Sequence, residues 1–411
     1  MYWSVKSVAV ALPIIVLLGV FSSAFRRSCQ ALRVFGATGP MENRNESLPV
    51  CFPEPPLGLG IYEPDQILLG SKQLATQSER FAGHLEAHFS TCHPRTLVFR
   101  PFMQGLGAAV SSLIKVGMYA VAHSLNLEVR GVGSEQQKYA FPVVASEPCT
   151  SSRVVIDIGQ WDMQNKQHIG YWIHKNYSTD PNNVGYPLQF RALNQTRFWI
   201  VSHFIRTLTD LQWPLWGLPP PGQLPPAFAP QIGVHVRHGD ACTGVGYSTW
   251  RKCFTFQAFA DSTTLLVERY GFRSVYLSTD NATLLRELAQ QSLGTYETGL
   301  GPGGVPWVFD MAPPFRPDYI GLGMNLEQVN KKALFDAGAR VVEHRAAVQD
   351  YWNLLRSHGL VGQFSNNWER LVMPYIFARS GGCGIPFASL DGQPWCFDYA
   401  RWVVSKFTFK C

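Results

Sequence analysis

The stretch Pro230–Asp240, PQIGVHVRHGD, alternates apolar Ile232, Val234 and Val236 with Gly233, His235 and Arg237, between a bracketing Pro230 and Gly239. Period-two alternation in so short a run predicts a buried strand that delivers its polar residues to a loop. In an open α/β sheet, ligands bind outside the carboxyl ends of the strands, so His235, Arg237, His238 and Asp240 fall where a nucleotide would sit. Arg237 is the first candidate for chemistry. Its guanidinium is a fixed fork of donors suited to phosphate oxygens, and a diphosphate leaving group needs that neutralisation as its bond breaks.

Strand, turn and helix recur on both sides of this stretch. Downstream, Phe254–Tyr270 reads as a helix, Arg273–Asp280 (RSVYLSTD) as a strand ending in polar residues, and Asn281–Leu293 as a helix with Asn281 near its cap. Ala346–Leu355 (AAVQDYWNLL) is a further helix carrying Asp350, and Leu360-Val361-Gly362 leads into a polar turn at Gln363–Asn367 that opens a helix over Trp368–Ala378. Upstream, Leu97–Phe99 is a strand, Gln104–Gly107 a turn, Ala108–Ser124 a helix and Leu125–Val129 the next strand, with Gly105 and Gly107 able to bring backbone N–H groups against a phosphate. Val154–Ile158 and Leu193–Leu208 continue the pattern as strand and helix. Trp213–Ala229, WPLWGLPPPGQLPPAFA, is too rich in proline for either and reads as a linker between two lobes. The expected architecture is therefore α/β, with an N-terminal lobe over 91–228 and a nucleotide-binding Rossmann-like lobe over 229–411.

The N-terminal region reads differently. Ser7–Phe25 is uncharged and apolar over about the length that spans a ~30 Å hydrocarbon layer, so 1–25 is expected as a membrane segment. An uncleaved signal-anchor is the favoured reading, and removal of a signal peptide near Ser22-Ser23-Ala24 is the alternative. Residues 26–90, with PEPPLGLG at Pro53–Gly60, are expected as a stem. Asn45, Asn176, Asn194 and Asn281 each begin a glycan-acceptor tripeptide, and nine cysteines include the close pairs Cys242/Cys253 and Cys383/Cys396, which suit local disulfides in an oxidising compartment. The excess of 35 Lys and Arg over 29 acidic residues is spread along the chain without a basic run, which argues against a nucleic-acid surface.

Several blocks taken together resemble the fucosyltransferases of the α1,6 type and, more loosely, the α1,2 and protein O-fucosyltransferases. HVRHGD at His235–Asp240 is similar to their first motif, YLSTD at Tyr276–Asp280 to the second and GQFSNNWER at Gly362–Arg370 to the third, while QGLGAAVSSLIKVGMYAVAHS resembles the glycine turn and helix of their N-terminal lobe. Asp350 stands fifteen residues before Ser365, the spacing at which the α1,6 enzymes carry the carboxylate that recognises guanine. Such a carboxylate pairs with N1–H and the N2 amine of guanine, a contact adenine and uracil do not offer. The resemblance implies a GT-B-type fold of two Rossmann-like lobes facing a cleft. It implies a GDP-fucose site lined by Gly105, Gly107, Tyr139, His235, Arg237, His238, Asp280, Asp350, Ser365, Asn366 and Asn367, and a Cys92–Cys149 disulfide. Two positions depart from the family: His238 replaces the second arginine of the first motif, and Val245 stands where the α1,6 enzymes place their glutamate base. The base is left unassigned, with Asp240 a candidate.

The reaction so implied is a single displacement with inversion at fucose C1, the acceptor being a glycan or glycoprotein, first of all an N-glycan. Charge gathers on the β-phosphate, where Arg237, Ser365 and the Gly105–Gly107 amides would stabilise it. No cofactor and no metal are expected, since the chain has no D-x-D pair to hold a divalent ion. The implied address is the Golgi membrane, as a single-pass type II protein with a lumenal body. A different acceptor, such as a protein Ser/Thr or a polysaccharide, and a non-catalytic lumenal lectin or scaffold are the alternatives.

Overall fold

The computed structural model describes residues 71–99, 106–129, 154–158, 197–211, 229–238, 242, 253–281, 284–285, 287–288, 303–309, 347–382, 385–392, 395, 401–403 and 406–408. All of these lie in one compact unit, Pro49–Cys411.

Two parallel sheets organise the unit. The first has strand order β2-β1-β3, from β1 (Arg95–Phe99), β2 (Asn126–Val129) and β3 (Val154–Ile158), with Thr96 opposite Asn126 and Arg95 opposite Val154. The second has order β6-β5-β4-β7-β8, from β4 (Gln231–Val236), β5 (Ser274–Thr279), β6 (Trp307–Phe309), β7 (Gly359–Gly362) and β8 (Phe387–Ser389). All four of its neighbouring pairs are parallel. A parallel sheet is covered on both faces, and side chains alternate between them. Ile232, Val234, Val236, Val275, Leu277 and Val361 accordingly pack into one core, while Tyr276, Leu360 and Phe387 pack into the other. An antiparallel pair, β9 (Arg401–Val403) with β10 (Lys406–Thr408), has no counterpart in the sequence expectations.

The helices are α1 (Ser71–Ser90), α2 (Leu106–Ala122), α3 (Arg197–Asp210), α4 (Phe256–Tyr270), α5 (residues 347–355) and α6 (Asn367–Arg379). α4 lies between β4 and β5 and is capped at both ends. Thr255 accepts a hydrogen bond from Ala258 N, and Gly271 closes the helix at φ 68°, a left-handed conformation that favours glycine. Gly233 lets β4 approach α5 and the turn after it, since a Cβ there would meet Leu354 Cδ2 at 3.0 Å and Ser357 Oγ at 2.9 Å.

Three expectations need correction. First, 71–90 is no stem. Ser78, Phe81, Ala82, Leu85 and Phe89 recur at helical spacing and are buried, and Trp199 Nε1 on α3 donates to Ser78 Oγ at 3.2 Å. The apolar stripe is narrow and dispersed among charged residues, which is why it escapes a reading that looks for sustained apolar content. Second, Gly107 is in no turn: α2 begins at Leu106, so Gly107 belongs to its first turn. Third, a division at 228/229 separates the sheets but not the cores. Phe81, Leu97, Ile114, Phe204, Leu354, Leu371 and Phe387 belong to a single cluster, because α3 packs on α6, with Phe198 4.8 Å from Phe377 and 4.7 Å from Trp395 between ring centroids. Polar contacts reinforce this junction. Tyr375 OH donates to Asp210 Oδ1 at 2.6 Å, and Arg206 donates to Ala378 O at 3.1 Å.

Cys242 and Cys253 are joined as expected, and Cys92 is disulfide-bonded. Cys149, Cys383 and Cys396, the Trp213–Ala229 linker short of its last residue, and Ser7–Phe25 lie outside the described residues. Among those described, no helix is long and apolar enough to cross a membrane.

Leu85→Ala is expected to cost about 2–5 kcal/mol of unfolding free energy in a denaturant titration, the usual cost of emptying a buried leucine site. A residue on a detached stem would cost nothing measurable.

Burial also holds three imidazoles neutral. It lowers His203 to about 3, with Arg206 adding to the effect; it lowers His88 to about 4 with His93 beside it, and His358 to about 4 with Arg379 near. Their folded values lie below the ~6.5 of an exposed imidazole, so between about pH 6.5 and 4 the unfolded chain binds more protons and stability falls as pH drops. The urea midpoint should therefore decline from about pH 7 to about pH 4.5, and decline less in His203→Leu.

Candidate active site

With β4 central, the strand order of the larger sheet reverses between β4 and β7: the connection after β4 leads outward to β5 and β6, and the one after β7 leads outward to β8. A crevice opens at the carboxyl ends of two such strands, the usual ligand position in a doubly wound sheet. Three segments meet there: Arg237 and His238 after β4, Gln363–Asn366 after β7, and the N-terminus of α6.

The floor of the crevice is built on Glu369. It lies in the first turn of α6, is 1% exposed, and is 2.9 Å through Oε1 from Nδ1 of His235, itself 6% exposed. The same oxygen accepts from Gln363 N at 3.0 Å and from Asn366 Nδ2 at 3.3 Å. Burial by itself would raise the Glu369 pKa. The adjacent His235 imidazole and the Gln363 N–H outweigh it and hold the carboxyl below its ordinary value. Gly362 makes the arrangement possible, because a Cβ at that position would stand 2.5 Å from Glu369 Cγ.

A second carboxylate sits across the same face of the sheet. Asp350, 8% exposed on α5, accepts from Tyr276 OH at 3.1 Å through Oδ1 and from Ser278 Oγ at 3.2 Å through Oδ2. Asn353 Nδ2 donates to the same tyrosine hydroxyl at 3.1 Å. Asp391 is a third. Its Oδ2 accepts from Ser365 N at 2.9 Å and its Oδ1 from Ser389 Oγ at 2.6 Å, and Ser389 Oγ in turn accepts from Phe364 N at 3.2 Å.

The structure thus gathers His235, Arg237, Ser365, Asn366 and Asn367 around the β4–β7 junction, with Asp350 bonded to Ser278, the β5 residue in register with His235. It gives several of them partners within the protein. His238 donates its backbone N–H to Asp280 Oδ1 at 2.8 Å, while its Nε2 lies 2.5 Å from Phe254 O. These bonds bind the β4 loop to β5 and to the entry of α4. Asn367 receives a hydrogen bond from Arg370, which also donates to Asn366 O at 3.2 Å. The Ser365 amide donates to Asp391 Oδ2 at 2.9 Å. Gly105, Tyr139, Asp240 and Val245 lie outside the described residues. Among those described, no group of three or more His, Cys, Asp or Glu could hold a metal ion.

Glu369 and Asp391 went unnoticed in the sequence. A signal for Glu369 was present: Asn366-Asn367-Trp368-Glu369 matches a capping-box pattern, in which a glutamate reaches back to the cap residue. The structure turns that glutamate to His235 and the Gln363 amide, which the local pattern does not foretell.

Neither a protein-family model nor a curated protein sequence matches the chain. Among solved structures it is similar to POFUT1 in complex with GDP-fucose, with 12% identity, 73% of this chain and 99% of that one covered, and a TM-score of 0.33. It is similar to POFUT1 in complex with GDP at 12% identity, the same coverage and a TM-score of 0.34. It is also similar to a mutant of Arabidopsis thaliana FUT1 in complex with GDP, at 13% identity, 74% and 75% coverage and a TM-score of 0.33.

Gly362→Ala should cost about 1–3 kcal/mol, as overpacking of a filled interior does, because the methyl group must displace the Glu369 side chain. Thermal melting of the variant against Gly392→Ala, a site with open space but a φ of 63°, separates the clash from backbone strain.

Proposed function

We propose that the β4–β7 crevice binds GDP-fucose and that the chain is an inverting fucosyltransferase. The observation that carries this reading is the convergence at one switch point of an arginine, a buried histidine and the N-terminus of a helix, with a carboxylate on the neighbouring strand's face. Arg237 directly follows β4 and supplies the guanidinium fork for the diphosphate. The positive end of α6, thirteen residues long, favours negative charge at the same place. Asp350 is the carboxylate to read N1–H and the N2 amine of guanine, and Tyr276 and Ser278 hold it still for that contact.

In the transfer step an acceptor hydroxyl attacks fucose C1 as the bond from C1 to the β-phosphate oxygen breaks. The bonding electrons leave with GDP, where Arg237 and the α6 terminus stabilise them. The base that takes the hydroxyl proton is unassigned, and Asp240 is one candidate. The finer reading has two Rossmann-like lobes flanking a cleft, an N-glycan acceptor modified in α1,6 linkage, and a lumenal body on a Golgi membrane anchor.

Calorimetric titration with GDP, ADP and UDP tests the nucleotide, and mass spectrometry of products from a panel of glycans tests transfer. GDP should bind best, and Asp350→Asn, which keeps the side-chain volume but sets an amide against guanine, should weaken it roughly tenfold or more, about 1.4 kcal/mol, while ADP and UDP change little. Arg237→Ala should cut transfer on the order of 10²–10³-fold with an unchanged melting temperature. Equal affinity for UDP and GDP in the wild type would overturn the assignment.

A further inference from the structure

The role of Glu369 goes beyond the reaction just described. A carboxylate enclosed at 1% exposure is costly to bury, and removing either partner of a buried pair leaves an uncompensated charge. A glutamate kept in such a place has to contribute something an apolar side chain does not. Its Oε1 is 2.9 Å from His235 Nδ1, and an ionised carboxylate only accepts, so Nδ1 carries a proton. That assignment governs the other nitrogen. In a neutral ring Nε2 is then a bare acceptor, and it can donate to an anion only when the ring gains a second proton. Nε2 makes no hydrogen bond with any described residue, and the ring stands at the carboxyl end of β4, two residues before Arg237.

We propose that Glu369 is a positioning residue that acts through His235: it holds Nδ1 so that an Nε2–H is presented to a phosphate oxygen in the crevice, and diphosphate binding takes up a proton at His235. This rests on the reading of the crevice as a nucleotide-diphosphate site. Among the described residues, the charged side chains on the elements bordering the ring are Glu369 and Arg370 on α6, Asp350 on α5, Asp280 just after β5 and Arg237 just after β4, while Gly362 and Gln363 on the β7 side are neutral. Arg370 is turned to Asn366 and Asn367, Asp350 binds Tyr276 and Ser278, and Asp280 accepts the His238 amide. Glu369 is the carboxylate that touches the imidazole.

The test is titration of the full chain with GDP in two buffers of different ionisation heat, which counts protons taken up per nucleotide bound. The wild type should take up a measurable fraction of a proton. Glu369→Gln should bind GDP roughly tenfold more weakly with that uptake gone, and Glu369→Asp should restore part of both. A merely structural Glu369 would lower the melting temperature of Glu369→Gln and leave the uptake per bound GDP unchanged, and that result overturns the proposal. So does undiminished uptake in His235→Gln, whose side chain cannot titrate. Failure of the wild type to bind GDP would instead sink the nucleotide reading, and the same comparison run with inorganic pyrophosphate then decides the role of Glu369. Should Glu369→Gln not fold, nitrogen NMR of the wild type with labelled histidine takes its place: a His235 ring protonated at both nitrogens with GDP bound supports the proposal, and a ring carrying a single proton, on either nitrogen, overturns it.

Discussion

A single enclosed carboxylate ties the centre of this molecule together. Glu369 accepts through one oxygen from a strand β4 side chain, from the backbone leaving β7, and from the cap residue of its own helix. A buried donor that loses its acceptor costs about 1–3 kcal/mol, so removing this carboxylate is expected to be destabilising. The contact also fixes geometry. It draws α6 against the junction of β4 and β7, and only a glycine at 362 leaves room for the approach.

The helix so anchored then serves both halves of the fold. On one side α6 packs against α3 through Phe198 and Phe377, with Tyr375 bonded to Asp210. On the other, Arg379 at its end donates to the carbonyls of Leu355, Arg356 and Ser357. Those carbonyls close α5, so the guanidinium satisfies acceptors that every helix end leaves over. Burial lowers the Arg379 pKa to about 10, which still leaves it charged at neutral pH. Through α6, therefore, the position of the α5 helix that carries Asp350 is coupled to the position of the strand that carries His235.

This arrangement separates residues that shape the crevice from those that would meet a ligand. Asp280 and Asp391 spend their carboxylates on backbone amides of the two crevice loops, and His238 ties the first of those loops to the entry of α4. Ordering the loops in advance lowers what a ligand must supply on binding. On the proposed reading, an anionic leaving group would meet Arg237, the His235 ring and the α6 terminus.

The sequence by itself determined the local elements. Alternation in Gln231–Val236 and Ser274–Thr279, and helical spacing in Phe256–Tyr270 and Asn367–Arg379, were legible because side-chain period follows directly from backbone geometry. The Cys242–Cys253 link was legible from closeness along the chain. What only the tertiary structure decided depends on residues distant in sequence. The strand order that creates the switch point, the pairing of His235 with Glu369 134 positions away, and the hydroxyl partners of Asp350 more than 70 positions away have no local signature. The α1 helix shows the same limit. Phe81 and Leu85 count for little in a window of charged neighbours, and their role appears only once Trp199 and Phe204 of α3 are beside them, because burial is a property of the assembled surfaces rather than of the segment.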